Sequence, residues 1–73
     1  MIKKGIYKHF KGNLYEVLDF AKCSETLQDM VVYKALYGND TWVRPARMWN
    51  EEVTVGGKTV KRFELVESKK NDD

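Results

Sequence analysis

Tyr7-Lys8-His9-Phe10-Lys11-Gly12-Asn13-Leu14-Tyr15-Glu16-Val17-Leu18 is the stretch whose reading decides the fold. Gly12-Asn13 tolerates positive φ and reverses the chain. The flanks interleave aromatic, aliphatic and cationic residues, which suits strands whose side chains alternate between two faces. The stretch therefore predicts a strand over 5–10, a turn at 11–13 and a second strand over 14–21. Along the second strand the alternation sets Leu14, Leu18 and Phe20 on one face and Tyr15, Val17, Asp19 and Ala21 on the other. Both faces are partly apolar, as in the wall of a small barrel. Thr41-Trp42-Val43-Arg44-Pro45 and Met48-Trp49 carry the same aromatic and cationic mixture downstream.

Working outward, Ser24-Glu25-Thr26-Leu27-Gln28-Asp29 reads as a polar loop in which Thr26 and Asp29 could cap a helical turn. Residues 30–37 are β-branched and aromatic enough for a central strand, and Gly38-Asn39-Asp40 is a turn. A short strand over 41–44 ends at Pro45, which holds Arg44 extended and removes a ladder donor. Residues 46–48 are expected to form one 3₁₀ turn. The remaining strand signal is a hairpin over 51–66 closed by Gly56-Gly57. That closure sets Val53 opposite Val60, Glu51 opposite Arg62 and Glu52 opposite Lys61, each pairing favourable, and puts Phe63 and Leu65 on one face for the core. The expected organisation is one all-β domain over 5–66, a small barrel of about five strands, followed by a flexible charged tail over 67–73.

With 73 residues, the chain has room for a single thin core, which large aromatic side chains fill efficiently. A net charge of +2 does not announce a nucleic-acid binder, although Lys3, Lys4, Lys8 and Lys11 precede the first acidic residue. Lysines on an edge strand would also deter aggregation. A lone cysteine, Cys23, excludes an intramolecular disulfide framework and a cysteine-based zinc site. The N-terminus has no apolar signal region, and no stretch approaches a membrane span. The expected location is cytoplasmic, with no membrane partner, so the glycosylation pattern Asn39-Asp40-Thr41 has no consequence.

Gly57-Lys58-Thr59 resembles the tail of a phosphate-binding loop, but Glu52 stands where the earlier glycine belongs and a hairpin follows in place of a helix. Cys23, His9 and Glu25 or Asp19 offer a nucleophilic set in composition only, without an elbow or oxyanion motif. His9 with Glu25, Asp19 or Asp40 lacks ligands at helical spacing, so no metal or cofactor is expected. Trp42 and Arg44 lie two apart on one strand face, where guanidinium stacks on indole and can recognise a base, a phosphate or a carboxylate. Tyr7, His9 and Lys11 share a face of the first strand near Tyr15, and aromatic platforms flanked by cations bind single-stranded nucleic acid.

Tyr7 to Val17, Ser24-Glu25-Thr26-Leu27, Val31-Val32-Tyr33-Lys34-Ala35-Leu36-Tyr37-Gly38 and Trp42-Val43-Arg44-Pro45 together resemble the bacterial domain-of-unknown-function family 1653, over about residues 5–66. The resemblance implies a small SH3-like β-barrel and no established activity. The family pattern has Phe after Met and His before Ser-Glu-Thr. Trp49 and Cys23 stand there instead, which weakens any metal or acid/base role for that loop. The blocks that match contain polar residues a barrel does not need for folding. The expectation is therefore a ligand surface of Tyr7, His9, Lys11, Tyr15, Ser24, Glu25, Thr26, Trp42 and Arg44 at one end of the barrel, with no catalytic residue. The function expected is a non-enzymatic binding module for single-stranded nucleic acid or a protein segment, as a monomer or weak homodimer. The alternatives are a small-molecule or enzymatic domain using Cys23, His9 and Glu25, and a structural module whose edge strands pair with a partner.

Overall fold

The structure, a computed structural model, describes residues 2–68. Its elements in chain order are β1 (Gly5–His9), β2 (Leu14–Lys22), β3 (Asp29–Ala35), β4 (Thr41–Pro45), α1 (Ala46–Trp49), β5 (Glu52–Val55), β6 (Lys58–Lys61) and β7 (Phe63–Ser68). β1 to β4 form an antiparallel meander. β7 returns to pair with β1, giving the sheet order β4-β3-β2-β1-β7. β5 and β6 form a separate two-stranded sheet.

The β1–β2 reversal forms as the sequence requires. Gly12 takes a φ of 109°, and His9 N–H donates to the Asn13 carbonyl at 2.8 Å. At the β5–β6 turn Gly56 and Gly57 have φ values of 58° and 82°, the primed conformation that glycine adopts without steric cost. The β5–β6 register sets Val53 opposite Val60 and Glu52 opposite Lys61, and Arg62 meets Glu51 through a 3.2 Å ion pair. The hairpin does not continue as one ribbon to Val66, however. The chain breaks at Arg62, and β7 leaves β5 to join β1, running on through Glu67 to Ser68. Residues 69–73 of the expected tail lie outside the described residues.

Three expectations need correction. The barrel is not closed: β4 and β7 are the two edges of the five-stranded sheet and do not pair with each other, and the described residues form seven strands in two sheets rather than about five in one. The face assignment along β2 fails after Val17, because a bulge between Val17 and Asp19 pairs Asp19 with Val32 and Phe20 with Val31. An inserted residue flips every later side chain, so Phe20 joins the face of Tyr15 and Val17 while Asp19 leaves it. The 3₁₀ turn is one turn of α-helix reaching to Trp49.

Tyr7, Val17, Val31, Tyr33, Trp49 and Phe63 form the core on the inner sheet face. α1 is too short to be stable alone. Its role is to seat Trp49, which is 1% exposed and stacks on Phe63 with ring centroids 3.8 Å apart and planes 2° from parallel. Tyr7 packs edge-on to Trp49 at 5.3 Å. Its hydroxyl donates to the Lys3 carbonyl at 2.7 Å and accepts from Lys3 N–H at 3.0 Å, and burial pushes its pKa up.

Candidate functional site

At the β1–β2 turn end of the inner face, aromatic rings meet several cations. Tyr15 on β2 lies edge-on to Tyr33 at 5.7 Å, Phe63 at 5.7 Å and Tyr37 at 6.2 Å. His9 is edge-on to Phe63 at 5.0 Å and to Tyr15 at 6.2 Å. The β3–β4 register sets Trp42 opposite Tyr33 and Arg44 opposite Val31, so both project onto the inner face as their spacing predicts. Trp42 and Tyr37 remain 52% and 71% exposed.

Arg44 is half-buried, with its guanidinium carbon 5.6 Å from the Phe63 ring centroid. Its Nε is buried without a hydrogen-bond partner, and no carboxylate among the described residues pairs with it. Arg62 is compensated by Glu51. His9 registers the resulting field. Its pKa is lowered by burial first, then by Arg62, Lys11 and Arg44. His9 Nδ1 accepts the Lys11 N–H at 3.1 Å, which fixes the neutral tautomer with the proton on Nε2. The Tyr37 hydroxyl is raised chiefly by its hydrogen bond with Tyr15.

The structure brings together His9, Tyr15, Trp42 and Arg44 of the expected set, with Lys11 at the rim, its Nζ 5.9 Å from the Phe10 ring. Tyr7 belongs to the core. Ser24, Glu25 and Thr26 lie in the β2–β3 loop at the other end of the ribbon, roughly 20 Å from Tyr15 along β2. There Thr26 Oγ1 accepts from Gln28 N–H and Gln28 Nε2 at 3.3 and 3.1 Å, and Arg47 Nε donates to Gln28 Oε1 at 3.4 Å. The Cys23 thiol is lowered by hydrogen bonds from the Thr26 hydroxyl and then from the Thr26 and Glu25 amides. His9 does not accompany it, since nearly the whole length of β2 separates the two. Among the described residues no group of three or more His, Cys, Asp or Glu could hold a metal ion. No helix among them is long and apolar enough to cross a membrane.

Sequence reasoning left Phe63, Tyr33, Trp49, Tyr37 and Arg62 out of the site. Their strand and hairpin positions were visible, but Phe63 reaches Arg44 only because the sheet curls until its two edge strands face each other. A shallow apolar groove of about 440 Å³ is bordered by Ile2, Phe20, Ala21, Met30 and Ala46 and contains none of the nine expected residues. Of its two polar residues, Asp29 is tied to Lys22 at 2.8 Å, so it lacks the converging polar groups that mark a small-molecule site. The aromatic and cationic cluster is therefore the better candidate.

These features define a class of curved, antiparallel all-β domain with an aromatic, cation-flanked inner face. The chain belongs to the protein-of-unknown-function family DUF1653, whose sequence profile matches residues 5–65. A crystal structure of a DUF1653-family protein from Bordetella bronchiseptica is similar at 34% identity, covering 97% of this chain and 95% of that one, with a TM-score of 0.84. No functionally curated protein matches the chain.

Proposed function

We propose that the chain is a non-enzymatic binding module for single-stranded nucleic acid, with bases stacking on Trp42, Tyr37 and Tyr15 and a backbone phosphate on Arg44. The observation that carries this reading is Arg44: a half-buried cation on an aromatic ring, with no anionic partner among the described residues, two strand positions from an exposed Trp42. A phosphate beside a planar base complements that pair better than an uncharged peptide does, because stacking tolerates any base and guanidinium matches phosphate oxygens in a fork. Lys11 extends the positive field along the rim. We read the curved five-stranded sheet, with a short helix between β4 and the returning chain, as an SH3-like half-barrel. Its lone free thiol suits a reducing, cytoplasmic setting.

Fluorescence anisotropy of a labelled mixed-sequence single-stranded RNA tests the reading. Arg44→Ala is expected to weaken binding about tenfold and to make the salt dependence shallower by about one unit of slope. Ser24→Ala is expected to leave both unchanged. No binding at near-physiological salt, or binding indifferent to Arg44, would overturn the reading and direct the search to protein segments.

A further inference from the structure

We propose that the phosphate this face takes is the terminal monoester of a strand, held between the Arg44 guanidinium and the His9 imidazole with Lys11 at the rim. The inference rests on the nucleic-acid reading above and adds which phosphate is bound. Its geometric basis is the Phe63 ring. Trp49 covers one face of that ring, stacked at 3.8 Å. The Arg44 guanidinium carbon, 5.6 Å from the ring centroid, and the His9 imidazole, edge-on at 5.0 Å, share what remains of its surface. His9 is also the register partner of Phe63 across β1 and β7, so the sheet holds the imidazole there. A tetrahedral anion lodged against the ring therefore meets both groups.

Both have donors to spare. No carboxylate among the described residues pairs with Arg44 or with Lys11. The Lys11 N–H bond to His9 Nδ1 leaves the proton on Nε2, and that N–H has no acceptor among the described residues. Arg62 is not available in the same way, because Glu51 pairs with it at 3.2 Å. An internal phosphodiester brings one negative charge, which Arg44 alone balances. A terminal monoester brings about −1.5 to −2 at pH 7 and three strong acceptor oxygens. Two uncompensated cations and an imidazole N–H match the second ligand and exceed what the first can use. Burial and then Arg62, Lys11 and Arg44 hold the His9 pKa down, so a dianion among these groups also favours the imidazolium, which adds a third charge to the contact.

Fluorescence anisotropy with three RNA strands of one sequence and one internal label tests the inference, the strands ending in a 5′-phosphate, in a 3′-phosphate or in hydroxyls at both ends. One of the phosphorylated strands is expected to bind at least about tenfold more tightly than the hydroxyl-ended strand, and which one it is gives the polarity of the bound strand. His9→Phe keeps an aromatic edge against Phe63 and removes the N–H donor. It is expected to cut that advantage to less than about threefold, with amide spectra verifying the fold. On the wild-type chain, without nucleic acid, inorganic phosphate is expected to shift the His9 imidazole resonance at a concentration at least about tenfold lower than dimethyl phosphate does. Equal affinity for the three strands overturns the inference and leaves the binding reading standing, whereas no binding by any strand overturns the reading on which it rests. An advantage that His9→Phe leaves intact overturns the inference too, as does a His9 resonance that answers dimethyl phosphate as readily as inorganic phosphate.

Discussion

The two ends of the β2–β3 ribbon are both rich in polar side chains, yet they spend them differently. At the loop end, Thr26 is engaged by Gln28, Gln28 by Arg47, Lys22 by Asp29 and the Cys23 thiol by the Thr26 and Glu25 groups. Thr26, Gln28, Asp29 and Cys23 are thereby spent on closing the loop and offer little to a ligand. At the aromatic end, Arg44 lies on the Phe63 ring with no carboxylate paired to it among the described residues, Trp42 is exposed two strand positions away, and Tyr37 is exposed against Tyr15. Polarity in a sequence therefore says less about binding than whether the folded chain has already used it.

The comparison breaks most violently if the aromatic end is removed. Trp49→Ala takes away a fully buried ring stacked on Phe63 and is expected to cost about 3–5 kcal/mol of unfolding free energy, a large part of what a domain of this size has. Chemical denaturation reads this loss. The orphaned Trp49 Nε1 subtracts from what the ring contributes but does not reverse the sign.

Next in size is Trp42→Ala, expected to lower single-stranded RNA affinity by about 1–3 kcal/mol, the worth of one stacked base. Stability changes little, because the indole is half exposed. Equilibrium titration together with a denaturation curve separates the two effects. A variant that loses stability and affinity in parallel would recast Trp42 as a packing residue.

A smaller effect follows from His9. Burial, Arg62, Lys11 and Arg44 hold its pKa below the ordinary value near 6.5. Below that ordinary value the unfolded chain binds the proton more readily than the folded one, so stability rises with pH across the window between the two pKa values. The His9 contribution is thus present above about pH 6.5 and is lost as pH falls through the lowered folded value. Denaturation midpoints from pH 7.5 down to 5 are expected to fall more steeply in the wild type than in His9→Gln. Bound phosphate on Arg44 removes part of the field and is expected to raise the His9 pKa, visible by imidazole chemical shift.

The smallest change belongs to the loop end. Leu27 has a φ of 62° and is 69% exposed. The left-handed conformation costs a non-glycine residue roughly 1–2 kcal/mol, partly offset by the extra unfolded-state freedom glycine would bring. Leu27→Gly is expected to stabilise the fold by about 0.5 kcal/mol in denaturation experiments and to leave nucleic-acid affinity as it was.

The strands, the β1–β2 turn and the Gly56-Gly57 hairpin with its Val53–Val60 register were legible because turn chemistry and alternation act locally. The β2 bulge was not, since the extra residue leaves no mark in Val17-Leu18-Asp19-Phe20. Nor was the departure of β7 from its hairpin to pair with β1, a contact between distant parts of the chain. The same limit split the expected site. Spacing correctly put Trp42 and Arg44 on one face, but Ser24, Glu25 and Thr26 were joined to them by polar character alone, and the antiparallel register carries the loop to the other end. Arg44 against Phe63 depends on the curl of the whole sheet, which no local window contains.

The central claim, that the aromatic end and not the loop end takes the ligand, is tested most directly by an amide chemical-shift titration of the labelled chain with mixed-sequence single-stranded RNA, at low and at near-physiological salt. The account predicts shifts clustered at Tyr15, Tyr37, Trp42 and Arg44 that persist at the higher salt, with Ser24, Glu25 and Thr26 still. Shifts centred on the Ser24 to Thr26 loop, or diffuse shifts that vanish with salt, would contradict it.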